Sequence, residues 1–232
     1  MPVSSYQDVR ELHLFSDMSE ENFQLLMRAA YVQNFPPQLE LIEEGAASDF
    51  LHILLSGSVD LFSQWNGRET IMATLRPVSS FILAATVKDA PYLMSARTLE
   101  KSRVALIPSA DVRRVFELDN AFARAIVTEL AECYRTLVKT QKNQKLRTSL
   151  ERLANYILRH QIREGGQQEF DLPFEKRRLA SYLGMTPENL SRAFKGLQGY
   201  GVSLEGQHVT ISDQATLERF AKPDRLMDDP AY

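Results

Sequence analysis

The sequence predicts an α+β protein in three parts: an antiparallel β domain over residues 1–118, a long helix over residues 119–146, and a helical domain with a short hairpin over residues 147–232. Three observations indicate this order. Short apolar runs separated by turn residues come first, an apolar repeat with alternating spacings of three and four follows, and two short amphipathic helices then flank Gly184. A chain of 232 residues with 44% hydrophobic content allows one or two domains with real cores.

The β domain begins after an amphipathic helix that we predict over residues 19–30. Asn66 and Gly67 are the favoured pair for a two-residue turn between two antiparallel strands. Gly45 and Gly57 stand at other turns of the same domain. The predicted strands include residues 51–55, 59–62 and 71–75.

The long helix carries a heptad seam, which is apolar in its first half and polar in its second. Such a seam is typical of a helix that packs against its copy in a two-fold dimer. The alternative is a helix that lies on its own β domain. The predicted seam consists of Ala123, Ile126, Leu130, Cys133, Leu137, Thr140 and Gln144.

Residues 176–202 predict a helix-turn-helix. Gly184 suits the positive φ of a helix C-terminus, Thr186 is a plausible N-cap, and Pro187 fits the first helical position. The next residues, 202–204 and 208–211, alternate as the strands of a hairpin, and Asp213 begins a further helix that we expect to end near Phe220. The domain is therefore predicted to be a winged helix-turn-helix.

Three polar residues share the outer face of the second helix. Glu188, Ser191 and Arg192 stand at i, i+3 and i+4, where a recognition helix meets base edges in the major groove. Arginine donates twice to guanine, glutamate accepts from cytosine, and serine bonds to either kind of edge. This combination favours DNA base readout, although an ordinary solvated Glu–Arg pair would have the same spacing.

The charge distribution agrees with a DNA contact in the C-terminal part. The chain carries a net charge of −3, yet residues 147–222 contain 11 Lys and Arg against 9 Asp and Glu, so the negative charge lies elsewhere. A set of basic and hydroxyl side chains is predicted to contact the DNA backbone. The set consists of Lys176, Arg177, Arg178, Thr186 and Lys195.

Other function classes are disfavoured. No apolar leader follows Met1 and no run has the length of a membrane span, so we expect a cytoplasmic protein without a membrane partner. We find no nucleophile–base pairing and no His/Cys set with metal spacing, so neither an enzyme nor a metal site is expected.

With these motifs the chain resembles the CRP/FNR superfamily of bacterial transcription regulators from about Leu12 to Phe220. The E-x-x-S-R spacing is similar to the FNR-type recognition helix, which reads TTGAT-like half-sites. The resemblance implies that Arg192 takes the guanine, Glu188 the paired cytosine and Ser191 a thymine. It also implies a jelly-roll sensor domain (a β-roll of the cyclic nucleotide-binding type), a homodimer on double-stranded DNA, an activator, and RNA polymerase as a partner.

The effector is harder to predict. Cyclic nucleotide receptors of this family hold the phosphate with a Gly-Glu pair and an Arg-Ser pair, whereas residues 80–85 and 91–95 are mainly apolar here, so we expect no cyclic AMP. One cysteine cannot hold an FNR-type iron–sulfur cluster, and Cys133 is most simply a small buried residue. If a cyclic nucleotide did bind, its phosphate would need another group, such as Arg76 or Arg97.

The helix and wing look most like those of the DNR/NNR regulators, which respond to nitric oxide and for which haem is the proposed sensor. Haem is therefore the candidate cofactor, and nitric oxide or a small molecule is the candidate signal. The alternative is a ligand-independent regulator with a degenerate sensor domain. The predicted effector pocket consists of Leu83, Tyr92, Leu93 and Met94, with His13 and His52 as possible axial ligands.

Overall fold

The computed structural model describes residues 6–173 and 175–229, in two compact units that meet within one helix, at Cys133 and Tyr134. The first residues of the chain, on which the expectation of no leader rests, lie outside this part. No helix in the described part is both long and apolar enough to cross a membrane.

The N-terminal unit is the predicted β-roll with flanking helices. Its strands form two four-stranded antiparallel sheets, ordered β1-β8-β3-β6 and β2-β7-β4-β5. The strands are β1 Tyr31–Phe35, β2 Glu40–Ile42, β3 Phe50–Ser56, β4 Val59–Trp65, β5 Arg68–Leu75, β6 Ser79–Phe81, β7 Ser95–Thr98 and β8 Ser102–Pro108. The helices are α1 Gln7–Arg10, α2 His13–Ser16, α3 Glu20–Ala29, α4 Leu83–Lys88, α5 Ser109–Leu118 and the first half of α6 Asn120–Leu146.

Two turns flank β4, and the one between β4 and β5 is the predicted hairpin turn. Asn66 and Gly67 both have positive φ, as the two-residue turn between β4 and β5 requires. Gly57 also has positive φ, and a Cβ there would lie 2.7 Å from the carbonyl oxygen of Lys101. A side chain at Gly57 would therefore push β3 and β4 away from the turn before β8.

Two apolar cores lie on opposite faces of the β1-β8-β3-β6 sheet. The core between the sheets includes Leu54, Phe81 and Tyr92, and we call it the inner core. The other core includes Leu51 and Phe122 and packs the sheet against the helices, and we call it the outer core. Because side chains alternate along a strand, β3 supplies both cores.

Asp119 joins two helices that are far apart in sequence. Its Oδ1 accepts hydrogen bonds from the backbone N–H groups of Ala121 and Phe122 at 3.0 Å, so it caps α6. Its Oδ2 accepts from the backbone N–H of Ser19 at 2.9 Å and the side chain of Asn22 at 3.0 Å, at the start of α3. Burial opposes its charge, but these donors outweigh burial and hold the pKa of Asp119 well below its usual value.

The C-terminal unit contains the second half of α6 and the winged helix-turn-helix. The wing is a three-stranded sheet ordered β10-β11-β9. A single apolar core joins α7 to both helices of the helix-turn-helix and to the wing, and it includes Ile157, Leu179 and Leu190. The elements are α7 Ser149–Arg163, β9 Glu169–Asp171, α8 Lys176–Tyr182, α9 Pro187–Leu197, β10 Val202–Glu205, β11 His208–Ile211, α10 Gln214–Ala221 and α11 Arg225–Asp228.

The predicted fold class is confirmed: a β-roll, a long helix and a winged helix-turn-helix domain follow one another along the chain. Six of the described helices and one strand were not predicted at all. These elements are α1, α2, α4, α5, α7, α11 and β9.

Candidate nucleic-acid interface

The recognition helix α9 begins as its sequence predicts. Thr186 has an extended backbone, and its Oγ1 accepts a hydrogen bond from the backbone N–H of Asn189 at 3.2 Å. Pro187 occupies the first turn, where a missing N–H costs nothing. Gly184 has a φ of +64°, which lets α8 end and the chain turn into α9.

The inner face of α9 is fixed by burial. Leu190 and Leu197 are fully buried against the core of the C-terminal unit, and Ala193 and Phe194 are nearly so. Because these residues define the buried side of the helix, the rotation of α9 about its axis is set. The residues at i, i+3 and i+4 from Glu188 must therefore face outward.

Glu188, Ser191 and Arg192 are all exposed on this outer face. The Ser191 hydroxyl donates to the backbone carbonyl of Pro187 at 3.0 Å, which leaves its oxygen free to accept. Hydrogen bonds from its own backbone N–H and from the Thr186 hydroxyl lower the pKa of Glu188, so this carboxylate is an ionised acceptor at neutral pH.

Asn189 is a residue of this face that the sequence analysis missed. Its Oδ1 accepts a hydrogen bond from the guanidinium of Arg192, three residues later. An amide at i and an arginine at i+3 on an exposed helical face was the signal available in the sequence.

The predicted backbone-contact residues lie around the same helix-turn-helix. Lys176 and Arg177 are exposed in the first turn of α8, whereas Arg178 is half-buried. Lys195 is exposed on α9, and Thr186 is exposed at its N-cap. Residues 202–211 of the wing contain no Lys or Arg, and the tip between β10 and β11 carries Glu205 and Gln207.

The exposed face of α6 differs from the predicted seam. Ile126 is fully buried in the outer core, and Leu130 packs partly against that core, so the first half of the helix lies on its own β-roll. The exposed large apolar side chains of α6 are instead Val127, Tyr134, Leu137, Val138 and Leu146, which are 59%, 68%, 64%, 39% and 69% exposed. The assignment of Ile126 to a partner-facing seam is therefore wrong, and the spacing continues through Val127, Leu130, Tyr134 and Leu137.

The remaining seam residues lie on or beside this face. Ala123 is half-buried, and Thr140 and Gln144 are exposed. Cys133 is exposed, so the expectation of a small buried cysteine is wrong for the single chain. Although the residue is exposed, its sulfur is partly shielded from water by neighbouring atoms. This shielding, together with the nearby carboxylates of Glu129 and Glu132, raises the pKa of the Cys133 thiol and keeps it protonated.

The residues of the predicted effector pocket are not brought together. Leu83 belongs to the outer core and Tyr92 to the inner core, on the other face of a sheet. Leu93 is 81% exposed, and Met94 packs partly on the inner core. His13 is exposed on α2. A single pocket formed by these residues is therefore contradicted, because the expectation treated residues 83–94 as one surface.

His52 is the one candidate ligand that is buried in the roll. Its ring lies 5.2 Å from the ring of Phe81 and 6.3 Å from that of Tyr92, between the two sheets. Its Nδ1 has no hydrogen-bond partner. Burial lowers the pKa of His52 from 6.5 to about 4, although a hydrogen bond to the Phe50 backbone opposes the shift. The imidazole is therefore neutral at pH 7.

Of the two arginines considered for a phosphate, Arg97 is engaged by its own sheet. Its guanidinium donates to both carboxylate oxygens of Glu69, at 2.7 and 3.2 Å, and stacks 4.4 Å from the ring centroid of Phe62. Arg76 is exposed. Within the described residues, no group of three or more His, Cys, Asp or Glu side chains could hold a metal ion.

Comparisons with known proteins match both units. A model of the cyclic nucleotide-binding domain matches residues 32–119, and a model of the Crp-like helix-turn-helix domain matches residues 151–220. The transcriptional activator protein anr of Pseudomonas aeruginosa is 25% identical over 186 residues, which cover 76% of this chain and 75% of that protein.

Solved structures agree with these matches. The structure of a putative cAMP-binding regulatory protein from Silicibacter pomeroyi DSS-3 is 26% identical with a TM-score of 0.55, and the alignment covers 94% of this chain and 100% of that one. The crystal structure of DNR from Pseudomonas aeruginosa is 21% identical with a TM-score of 0.52, and the alignment covers 95% and 99%. At 21% identity, the second likeness concerns the fold alone.

Proposed function

Because the chain belongs to the CRP/FNR family of transcription regulators, we propose that it is a homodimeric regulator that reads an FNR-like palindrome with TTGAT-type half-sites. The observation that carries this proposal is the outward presentation of Glu188, Ser191 and Arg192 at the start of α9. A carboxylate that faced a polyanion without meeting a donor would be repelled. Glu188 therefore favours a base pair that offers both a donor and an acceptor, and a G·C pair read by Glu188 and Arg192 meets that need.

The exposed stripe of α6 supports the dimer. Val127, Leu130, Tyr134 and Leu137 follow one another at spacings of three and four, which is the repeat that packs two helices side by side. An apolar stripe of this kind, exposed at Val127, Tyr134 and Leu137 and half-buried at Leu130, marks an interaction surface. A second copy of the chain is the occupant that we propose, because a two-fold protein matches a palindrome whose half-sites lie one DNA turn apart.

The same proposal places the protein in the bacterial cytoplasm as an activator that works with RNA polymerase. The relative from Pseudomonas aeruginosa is a transcriptional activator, which supports the sign of regulation.

The test of base readout compares Arg192→Ala with Lys195→Ala. Loss of a bidentate guanine contact should weaken binding to the palindrome by about 1–3 kcal/mol and leave random DNA nearly unaffected. Loss of the phosphate contact at Lys195 should weaken all sequences alike and reduce the salt slope by about one unit. Band-shift titrations at several salt concentrations measure both, with Arg163→Ala at the end of α7 as a control that removes the same charge elsewhere. Equal losses on specific and random DNA for Arg192→Ala contradict the assignment.

For the effector we propose two candidates, each with one supporting observation. The filled inner core favours a ligand-independent regulator, because Phe81, Tyr92 and His52 pack together between the sheets and the Tyr92 hydroxyl donates to the Phe50 carbonyl at 3.1 Å. A nitric oxide response through haem is favoured only by the unpartnered Nδ1 of buried His52. The predicted ligand set as a whole does not fit haem, since its members lie on different faces of a sheet.

Absorbance after haem addition separates the two candidates. We expect the spectrum of haem with the protein to be the same as that of free haem. A Soret band that shifts with nitric oxide and disappears in His52→Leu, but persists in His13→Leu, would support the haem candidate instead.

A further inference from the structure

The last described helix, α11, lies beyond the residues matched to the helix-turn-helix domain, which end at 220. It is short, and Asp224 caps it by accepting a hydrogen bond from the backbone N–H of Met227 at 3.1 Å. We call residues 223–229 the C-terminal segment. Its position is specified by contacts with residues of α6 and α7.

Asp228 makes the central contact of this segment. Its two carboxylate oxygens accept hydrogen bonds from the guanidinium of Arg147 at 2.6 and 2.8 Å. Its Oδ1 also accepts from Arg159 of α7 at 2.7 Å. The side chains of Arg147 and Asp228 are only 6% and 8% exposed. Removing one partner of a bidentate pair at this depth costs more than losing an exposed ion pair, because the other charge stays buried and unpaired.

Arg147 is the single residue between the end of α6 at Leu146 and the N-cap of α7 at Thr148. The contact with Asp228 therefore fixes the joint between the two helices. The guanidinium of Arg147 also donates to the side chain of Asn143 at 3.1 Å, one turn earlier on α6. A second tie runs from the Lys139 ammonium to the backbone carbonyl of Asp229 at 3.2 Å.

The joint is also tied to the turn before the recognition helix. Arg152 donates to the backbone carbonyl of Arg147 at 2.9 Å and to that of Leu183 at 3.1 Å. Leu183 is the C-cap of α8 and is followed by Gly184, the turn residue of the helix-turn-helix. A continuous set of hydrogen bonds thus runs from Asp228 through Arg147 and Arg152 to this turn.

We propose that Asp228 is a positioning residue for DNA binding: it locks the α6–α7 joint and, through Arg147 and Arg152, holds the helix-turn-helix at a fixed orientation to the second half of α6. This inference rests on the proposed function, since a palindrome requires two recognition helices at one set spacing. Asp228, Arg147 and Arg152 all lie outside the apolar core of the C-terminal unit, so the network orients that core without forming part of it.

The electrostatics of the cluster make Asp228 the sensitive member. One carboxylate neutralises two guanidinium groups, so its removal leaves Arg147 buried without a counter-charge and next to Arg159. Burial opposes the charge of Asp228, but the hydrogen bonds from Arg147 and the Asp224 backbone outweigh it and lower its pKa. The segment is therefore expected to detach when this one charge is lost.

The experiment compares Asp228→Asn with Asp229→Asn in the full chain. Asp229 is the matched control, because it lies next in sequence, pairs at 3.9 Å with Arg225 and keeps its backbone contact with Lys139 after the change. Amide hydrogen exchange is followed over residues 143–152 and over α9. Asp228→Asn should speed exchange over residues 143–152 on the order of tenfold and leave α9 unchanged, whereas Asp229→Asn should change neither.

DNA binding supplies the second readout. Asp228→Asn should weaken binding to the palindrome on the order of tenfold while binding to a duplex with one half-site stays the same, because a single site needs no set spacing. Unchanged exchange over residues 143–152, or an equal increase in α9, overturns the proposal, as does equal weakening on both duplexes. If the unmodified chain shows no preference for the palindrome, the proposed function fails, and the exchange result still decides whether Asp228 locks the joint.

Discussion

The recognition helix of the C-terminal unit and the β-roll use their polar side chains in opposite ways. In the C-terminal unit, Glu188 and Arg192 stand exposed on a helix whose buried face is fully apolar. In the β-roll, Thr98 is fully buried and its hydroxyl donates to the Pro36 carbonyl at 2.7 Å, and the nearly buried Asp60 accepts from Thr74 at 2.7 Å. The recognition helix leaves these polar groups open to solvent, whereas the roll uses its own to close its fold.

The largest expected effect removes DNA binding without touching either set of polar groups. Leu137→Glu places charges opposite one another across the proposed two-fold, and burying them unpaired is costly enough to separate the helices. We expect a monomer that loses palindrome binding by about 100-fold or more and keeps a folded β-roll. Light scattering and circular dichroism check this.

Thr136→Glu is the matched control, because it adds the same charge to an exposed position on the far side of α6. A Leu137→Glu protein that remained a dimer and bound the palindrome would place the interface elsewhere. Leu130→Glu gives a less clear result, since Leu130 also packs on the outer core.

A smaller effect tests the closed interior of the roll. The pKa of His52 is about 4 in the folded protein and near 6.5 when exposed, so between these values the unfolded chain binds a proton that the folded one does not. Stability is therefore fully present above pH 6.5 and falls as the pH drops toward 4, by up to about 3 kcal/mol. Denaturant unfolding from pH 4.5 to 7 measures this loss. His52→Leu should flatten the curve, and exposed His13→Leu should not; an unchanged slope in His52→Leu would disprove the assignment.

The last prediction is that adding a cyclic nucleotide has no effect. If the roll has no site for a cyclic phosphate, millimolar cyclic AMP or cyclic GMP should change neither the melting temperature nor palindrome binding. The measurement is sharp, because a ligand at a hundred times its Kd would stabilise the fold by about 2.7 kcal/mol. A rise in melting temperature with either nucleotide would mean that a phosphate is bound. Exposed Arg76 would then be the first residue to substitute.

The difference between the units also explains which features could be predicted. The outer face of α9 follows from local rules, because Thr186, Pro187 and Gly184 set where the helix begins and the apolar period sets which side is buried. The hairpin turn at Asn66 and Gly67 is equally local. Local rules of this kind need no knowledge of distant residues.

The misplaced features depend on distant residues. Ile126 and Val127 are both apolar, and only the position of the outer core decides which of them faces outward. Leu83 and Tyr92 are nine positions apart, yet a sheet separates them because β6 and β7 belong to different sheets. Asp228 lies in a polar tail whose partner, Arg147, is 81 residues earlier, and no periodicity indicates such a pair.

The double cap at Asp119 affects the order in which the N-terminal unit folds during synthesis. The carboxylate that completes the start of α3 lies 100 residues after Ser19, and its other oxygen needs the backbone N–H of Phe122. While the chain grows on a ribosome, the strands of the roll therefore emerge before the residue that ties their first helix in place. The nascent N-terminal unit can finish folding only once the start of α6 has left the exit tunnel, so the proposed dimer helix begins to appear at the moment its own β-roll becomes stable.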